Sequence, residues 1–202
     1  MRAMILAAGV GSRLDPLTRN LPKPLVPIVN KPVMEHIILL LKKHGFNEIM
    51  VNVHYLGDQI EAYFGDGSSL GVKIYWSRED QLWGDAGSVK RVEEFFKDET
   101  FIVVGGDDLA DMDLTRLMKT HKEKKALSTI ALSLVDDPSE YGIVQLNEDG
   151  RITRFLEKPK GEVIFSNTAN TGVYVFEPEI FELIPKNTFY LFGKNFFPQM
   201  LN

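Results

Sequence analysis

Short apolar runs alternate with helical patterns along the first part of the chain. The runs predict five strands, at residues 2–8, 48–53, 72–76, 101–104 and 128–135. Apolar residues at helical spacing predict the helices between them, at residues 32–44, 58–64, 86–96 and 113–124. This order predicts a Rossmann-like α/β fold, in which a mostly parallel central sheet carries helices on both faces.

The pattern changes after Pro138. The elements predicted there are two hairpin strands, a further strand and a short helix, at residues 141–146, 151–157, 171–176 and 177–184. The hairpin turn falls at Asp149 and Gly150, a pair that favours tight turns. We expect a small α+β extension of the sheet, and therefore one domain with a first part at residues 1–137 and a second part at 138–202.

Composition and charge exclude several classes of protein. The 202 residues are 44% hydrophobic and 25% charged, which is typical of a folded domain. Cysteine is absent, so disulfides and thiolate metal sites are excluded. The net charge of -5 argues against a nucleic-acid partner. No apolar run reaches membrane length and no secretory signal is present, so we expect no membrane partner and a cytoplasmic location.

The beginning of this acidic chain is basic. Over residues 1–31, five cations oppose Asp15 alone, a local charge of +4: Arg2, Arg13, Arg19, Lys23 and Lys31. Such a segment can hold a small anion, and an exposed basic loop would look the same.

The loop after the first strand has features of a phosphate site. Gly9 and Gly11 allow the backbone to approach a phosphate and to aim N–H groups at it. A dinucleotide fold would have a third glycine in place of Leu14, and a Walker loop would have Gly-Lys-Ser/Thr, which is absent. A tight turn explains the glycines but not Arg13.

Residues 6–32 resemble the sugar-1-phosphate nucleotidyltransferases. The pattern is Leu-Ala-Ala-Gly-x-Gly-x-Arg-Leu-x-Pro-Leu-Thr, followed by Pro-Lys-Pro-Leu-x-Pro and Asn-Lys-Pro. The resemblance extends over the whole chain, and its second part is most similar to mannose-1-phosphate guanylyltransferases. It implies that a sugar 1-phosphate attacks the α-phosphorus of a nucleoside triphosphate, which gives a nucleotide sugar and pyrophosphate. Catalysis would then rest on positioning and electrostatics.

The resemblance implies roles for the first loop. The nucleotide would be bound by Leu6, Ala8, Gly9, Gly11 and Ser12. Arg13 would stabilise the departing pyrophosphate, and Lys23, between two prolines, would approach the reacting phosphate. For Arg19 and Lys31 we expect a solvated surface role.

The resemblance also implies magnesium as the cofactor. Asp107 follows the predicted strand at residues 101–104 and is similar to the family's magnesium ligand. Magnesium usually takes one or two carboxylates together with substrate phosphate. For Asp108, Asp111 and Asp113 we expect a solvated face, a turn and a helix cap.

The loop at residues 77–88 resembles the family's base-reading segment. Trp83 and Asp85 stand where the family usually has leucine and threonine. Gly84 would pass close under the base, and Glu79 matches the position that reads the base edge. A carboxylate only accepts hydrogen bonds, so it suits the adjacent N–H donors of guanine. An exposed loop glutamate is the alternative.

The second part resembles the sugar half of the site, with sugar and phosphate contacts implied for Gly142, Glu157, Lys158 and Asn170. The expected substrates are GTP and mannose 1-phosphate. Two alternatives stay open. One is glucose 1-phosphate with dTTP, UTP, ATP or CTP, and the other is a non-catalytic homologue that binds nucleotide sugars.

Related chains continue beyond the Phe-Pro pair at residues 197–198 into a Trp-x-Asp-x-Gly element, whose aspartate is a second magnesium ligand. That element is not found in the 202 residues. We therefore expect this chain to be a fragment or a C-terminally truncated member of the family. We expect a homo-oligomer only of the full-length protein, whose additional residues would supply the contacts between copies.

Overall fold

The computed structural model describes residues 1–159 and 163–201. The strands in these residues are β1 (Arg2–Leu6), β2 (Pro27–Ile28), β3 (Lys31–Pro32), β4 (Glu48–Val53), β5 (Lys73–Arg78), β6 (Phe101–Gly105), β7 (Ser128–Leu134), β8 (Gly142–Leu146), β9 (Ile152–Glu157) and β10 (Thr168–Phe176). The α-helices are α1 (Val33–Lys43), α2 (Gly57–Phe64), α3 (Asp85–Arg91), α4 (Glu93–Phe96), α5 (Leu114–Lys124) and α6 (Phe197–Met200).

Eight of these strands form one sheet with the order β5-β4-β1-β6-β10-β8-β9, and β7 also pairs with β10. The four strands from β5 to β6 are mutually parallel. β10 then runs antiparallel to β6 and carries β7 and the β8–β9 hairpin, again antiparallel. The predicted α/β class is confirmed, with a parallel centre and an α+β extension.

β7 differs from the prediction, which placed residues 128–135 in the parallel part. The free edge of β6 is occupied by β10, through the pairing of Val103 with Tyr174. β7 therefore pairs antiparallel on the far side of β10, where Ile130 lies opposite Tyr174. The competition of two strands for one edge leaves no signal in the local pattern of residues 128–135.

Strict alternation along the strands divides the core into two layers. Ile5 of β1 packs into the layer covered by α1, α2 and α5. Met4 packs into the opposite layer, which α3, α4 and the C-terminal segment cover. Because successive side chains of a strand point to opposite faces, a buried strand with helices on both sides is apolar throughout.

Two predicted helices are shorter or irregular. The helix predicted at residues 86–96 is divided at Val92, whose φ of -110° leaves the helical region. The short second piece places Phe96 in the core, where its ring stacks on Phe101 at 4.3 Å between centroids. The helix predicted at residues 177–184 is a 3₁₀ segment, Pro178–Glu182.

None of the helices formed by residues 1–159 and 163–201 is both long and apolar enough to cross a bilayer.

An aromatic cluster joins the C-terminal segment to the sheet. Phe192 begins a π-helical turn (Phe192–Phe196) that precedes α6. Its ring stacks on Phe176 of β10 with centroids 5.0 Å apart, and it also stacks on Phe197 at 5.7 Å. The end of the described chain is therefore part of the core.

Phe192→Ala should lower the free energy of unfolding by about 3–5 kcal/mol, because it removes a fully buried ring and leaves a cavity. Phe189→Ala is the control, since that ring is 57% exposed and should change stability by less than about 0.5 kcal/mol. Urea denaturation of both variants measures the difference, and equal losses would contradict this description of the core.

Candidate active site

The carboxyl ends of the parallel strands open into a cleft of about 320 Å³. It is lined by Leu6, Ala7, Gly9, Gly11, Ser12, Arg13, Lys23, Pro24 and Asp107. Seven of these are predicted site residues, and only Ala7 and Pro24 are new. Ala8, also predicted, is buried beside the cleft and does not line it.

Gly11 allows the cleft to close around a lysine. Its φ of +75° is in the left-handed region, and a Cβ built there would lie 2.7 Å from Cγ of Lys23. The methylenes of Lys23 therefore cross directly over Gly11. The Thr18 hydroxyl donates to the Gly11 carbonyl at 2.8 Å, and the Tyr55 hydroxyl lies 3.1 Å from the carbonyl oxygen of Thr18. These contacts hold the first loop against Tyr55, which follows the end of β4.

The cationic side chains of the first loop have different partners. Nζ of Lys23 donates to Oδ2 of Asp107 at 2.5 Å. Arg19 pairs with Asp15 at 2.7 Å outside the cleft, and Lys31 pairs with a glutamate of α1. Arg13 makes no hydrogen bond or ion pair with any of the described residues. Its guanidinium is thus available to an anion in the cleft.

The residues present fit a magnesium ion only together with a ligand phosphate. Asp107 provides an exposed carboxylate at the edge of the cleft. Within the described ranges, no group of three or more His, Asp or Glu side chains is placed to hold a metal. One carboxylate plus phosphate oxygens is a usual magnesium environment.

Asp108 is exposed, as expected for a solvated residue, but its carboxylate also packs against the chain. Its carboxylate occupies a hollow where a Cβ at Gly105 or Gly172 would collide with it. Partial removal from water, together with the charge of Asp107, raises the pKa of Asp108 to about 6, although much of the residue remains accessible. Asp113 caps α5 as predicted, since its Oδ1 accepts from N of Arg116 at 2.9 Å.

Glu79 is buried, with 7% of its surface exposed, so the alternative of an exposed loop glutamate is wrong. Its Oε1 accepts a hydrogen bond from Nδ2 of Asn52 at 2.9 Å. Oδ1 of the same amide accepts from N of Ala7 at 2.9 Å. The Oε2 atom of Glu79 is buried and has no hydrogen-bond partner among the described residues. Sequence reasoning missed Asn52, because an asparagine in an apolar strand carries no motif.

Gly84 lies against the segment around Tyr190 and does not line the 320 Å³ cleft. A Cβ there would collide with the carbonyl oxygen of Tyr190. N of Tyr190 donates to the carbonyl of Trp83 at 2.9 Å, and N of Gly87 donates to the carbonyl of Tyr190 at 3.1 Å. The segment around Tyr190 therefore crosses the beginning of α3.

The residues predicted for the sugar half are brought together around β8, β9 and β10. The carboxylate of Glu157 fills the space beside Gly142, where a Cβ would lie 2.7 Å from its Oε2, and burial raises the pKa of Glu157. Asn170 donates from Nδ2 to the Tyr174 hydroxyl at 2.9 Å. Lys158, with φ of +46°, follows directly after Glu157 and is partly exposed.

Asp85, which sequence reasoning noted only as a substitution, holds two elements together. Its Oδ1 accepts from N of Ala86 and from N of Phe192, both at 2.7 Å. Burial is the main cause that raises the pKa of Asp85 to about 6, and the charge of Glu157 adds to it. An aspartate ahead of a helix signals a cap, but its link to Phe192 is a tertiary contact.

A larger cleft of about 740 Å³ lies away from this edge and is unsuited to phosphates. Its charged lining is mainly acidic: Glu93, Glu94, Lys97, Asp98, Glu99, Glu177, Glu179 and Glu182. Such a field repels anionic substrates.

Residues 2–202 match the family model described as nucleotidyl transferase. The chain therefore belongs to this family, and the resemblance found in its motifs is confirmed. It is 45% identical, over its whole length, to the UTP–glucose-1-phosphate uridylyltransferase of Synechocystis sp., covering 55% of that protein. It is 36% identical over 91% of its length to the mannose-1-phosphate guanylyltransferase catalytic subunit beta of Xenopus tropicalis, covering 52% of that protein.

A solved structure has a similar fold. HddC from Yersinia pseudotuberculosis, complexed with GMP-PN, superposes with a TM-score of 0.82 at 25% identity, over 98% of this chain and 85% of that one. The chain spans about half the length of the curated relatives it matches.

Gly11→Ala should destabilise the protein by about 1–2 kcal/mol or more, because a side chain in the left-handed region is strained and Lys23 must move. Gly9→Ala is the matched control, since a Cβ there has nothing within 4 Å and no positive φ. Chemical denaturation measures both. Equal stabilities would show that Lys23 does not depend on Gly11.

Asp85 should make stability depend on pH between about 4 and 6. Its folded pKa of about 6 lies above the ordinary 3.8, so the folded chain binds the proton more tightly than the unfolded chain. The ionised group therefore disfavours folding above pH 6, and this penalty disappears as the pH falls toward 4. Asp85→Asn retains an acceptor oxygen and should remove a penalty of about 1–3 kcal/mol at pH 7.

The measurement is the free energy of unfolding of wild type and Asp85→Asn from pH 4 to pH 7. Asp80→Asn is the control, because Asp80 is exposed in the same loop and should leave the profile unchanged. If Asp85→Asn kept the wild-type dependence of the unfolding free energy on pH, the raised pKa of Asp85 would be contradicted.

Proposed function

We propose that the protein transfers a nucleotidyl group from a nucleoside triphosphate to a sugar 1-phosphate, forming a nucleotide sugar and pyrophosphate. The observation that carries this proposal is the cleft at the carboxyl edge of the sheet. There the glycine-containing loop carries Arg13, which has no side-chain partner among the described residues, and the Lys23–Asp107 pair lies in the same cleft. The similarity to relatives named as uridylyl- and guanylyltransferases supports the same reaction class.

In this reaction a phosphate oxygen of the sugar 1-phosphate attacks the α-phosphorus of the triphosphate. The bond from the α-phosphorus to the bridging oxygen breaks, and pyrophosphate takes the electron pair. Arg13 stabilises the negative charge that grows on this leaving group. Lys23 exchanges its partner Asp107 for a phosphate oxygen, so its charge is directed at the reacting group.

Asp107 is the residue we propose as ligand of the magnesium ion. When bound, magnesium would neutralise phosphate charge and help to keep the triphosphate in place. The pairing of Asp107 with Lys23 suits this role, because a cation that approaches the carboxylate frees the lysine for phosphate.

For the sugar half we propose Gly142, Glu157, Lys158 and Asn170. Glu157 and Asn170 would accept hydrogen bonds from sugar hydroxyls, Asn170 through the second lone pair of an Oδ1 that already accepts from N of Gly172 at 2.9 Å. Lys158 has the charge to pair with the sugar phosphate. The partly buried carboxylate of Glu157, which lies against Gly142 and Gly193, supports a fixed contact rather than a solvated one.

For the base we propose guanine, and hence GTP with mannose 1-phosphate. Glu79 is buried and keeps one acceptor oxygen without a partner. Guanine offers two adjacent N–H donors, which suit a carboxylate. Gly84 remains our candidate for a close approach to the base.

A second candidate pair is UTP with glucose 1-phosphate. The 45% identity to the Synechocystis uridylyltransferase favours it. Uracil presents a single N–H donor between two carbonyls, and the unpartnered oxygen of Glu79 could accept it.

The reaction is tested with a panel of GTP, UTP, dTTP, ATP and CTP against mannose and glucose 1-phosphates, following pyrophosphate release. The highest rate is expected with GTP and mannose 1-phosphate. A higher rate with UTP and glucose 1-phosphate would select the second candidate. Nucleotide-sugar binding without any pyrophosphate release would favour the non-catalytic reading.

Arg13→Ala should reduce kcat/KM by an amount equivalent to about 2–4 kcal/mol of transition-state stabilisation, because it removes a charge that strengthens as pyrophosphate leaves. Stability should barely change, since Arg13 is exposed. Arg19→Ala is the control: it removes an arginine of the same loop that Asp15 already pairs. Equal activity losses in both variants would contradict the role of Arg13.

A further inference from the structure

Asn52, a buried residue that was not among the predicted site residues, contacts two parts of the candidate site. Asn52 lies in β4, between β1 and β5, and only 2% of its surface is exposed. Its register partners are Leu6 and Ser77 on those strands. Its amide is thus next to Ala7, which lines the phosphate cleft, and close to Glu79, just beyond the end of β5.

The two hydrogen bonds of Asn52 determine the orientation of its amide. Oδ1 accepts from N of Ala7 and Nδ2 donates to Oε1 of Glu79, both at 2.9 Å. A backbone N–H only donates and an ionised carboxylate only accepts, so the reverse orientation would satisfy neither partner. Aspartate would have no donor for Glu79, and leucine would leave both partners unpaired.

Glu79 keeps one carboxylate oxygen without a hydrogen-bond partner among the described residues. Oε1 is engaged by Asn52, whereas Oε2 is buried without a partner in the described part of the chain. A buried carboxylate oxygen without a donor is costly. Such an atom is suited to a donor that arrives with a ligand, and Asn52 determines which oxygen is left for it.

We propose that Asn52 is a specificity-determining positioning residue for the nucleotide base. It holds Glu79 through Oε1, which leaves Oε2 for an N–H donor of the base, and it ties that carboxylate to the chain at Ala7, a residue that lines the 320 Å³ cleft. The inference rests on the proposed function, because it takes Glu79 as the base-reading group. Asn52 itself touches no substrate.

The chemistry predicts which bases are accepted. Guanine and uracil carry a ring N–H on their pairing edge. Adenine and cytosine present an accepting ring nitrogen at that position, and their only donor on this edge is the exocyclic amino group beside it, so an oxygen placed opposite the ring position suits the first two bases. An acceptor opposite a carboxylate oxygen is repelled. The Asn52–Glu79 contact should therefore favour both GTP and UTP over ATP and CTP. This expectation holds whether GTP or UTP binds more tightly.

The test compares binding of these four nucleotides with binding of tripolyphosphate, which has no base. Dissociation constants are measured by calorimetry with magnesium present, on the 202-residue chain and on Asn52→Leu, Asn52→Asp and Glu79→Gln. Asn52→Leu should reduce the preference for the better of GTP and UTP over ATP by about 10- to 100-fold. Affinity for tripolyphosphate should change by less than about three-fold.

A double variant separates this role from a merely structural one. If Asn52 acts through Glu79, then Asn52→Leu combined with Glu79→Gln loses no more preference than Glu79→Gln alone. Additive losses, an unchanged preference, or an equal loss for tripolyphosphate and all nucleotides would overturn the proposal.

Folding is checked by circular dichroism and urea denaturation of each variant. Should Asn52→Leu not fold, Asn52→Ser, with a shorter donor and acceptor, takes its place in the same cycle. A wild-type chain that binds no triphosphate contradicts the proposed function. A chain that binds with a base preference kept in all Asn52 variants contradicts only this inference.

Discussion

The parallel pairing of β1 with both β4 and β6 is the constraint on which the site depends. Parallel strands leave the sheet at the same edge, so the loops after β1, β4, β5 and β6 converge there. The first loop, Asn52, Glu79 and Asp107 are contributed by these four strands in turn. This pairing brings the cationic first loop to the same edge of the sheet as Asp107 and Glu79.

β10 extends this arrangement by running the other way. Because it is antiparallel to β6, it begins at the edge where β6 ends, and its Gly172 lies against the carboxylate of Asp108. The β8–β9 hairpin is attached to the first residues of β10 and contributes Gly142 and Glu157. β10 therefore brings the parallel part of the sheet and the β8–β9 hairpin to the same edge of the sheet.

The charges at this edge are balanced in a way that suits anionic ligands. The Lys23–Asp107 pair is internally neutral, and Arg13 supplies a cation without a partner among the described residues. Near them, Asp108 has a pKa raised to about 6, so its carboxylate loses its charge at a higher pH than an ordinary aspartate does. Partial removal from water and the charge of Asp107 both disfavour the ionised form of this carboxylate.

The sequence by itself determined the alternation of strands and helices in the sheet, the glycine-containing loop that carries Arg13, the position of Asp107 after β6 and the Asp113 cap. Each depends on neighbouring residues, whose periodicity or motif is visible locally. Tertiary structure alone decided that β7 pairs with β10, that Asp85 binds the backbone of Phe192, and that Asn52 orients Glu79. These contacts join residues 25 or more positions apart. Their energies come from burial and from hydrogen bonds that must be satisfied away from water, and neither quantity is defined until the chain has folded.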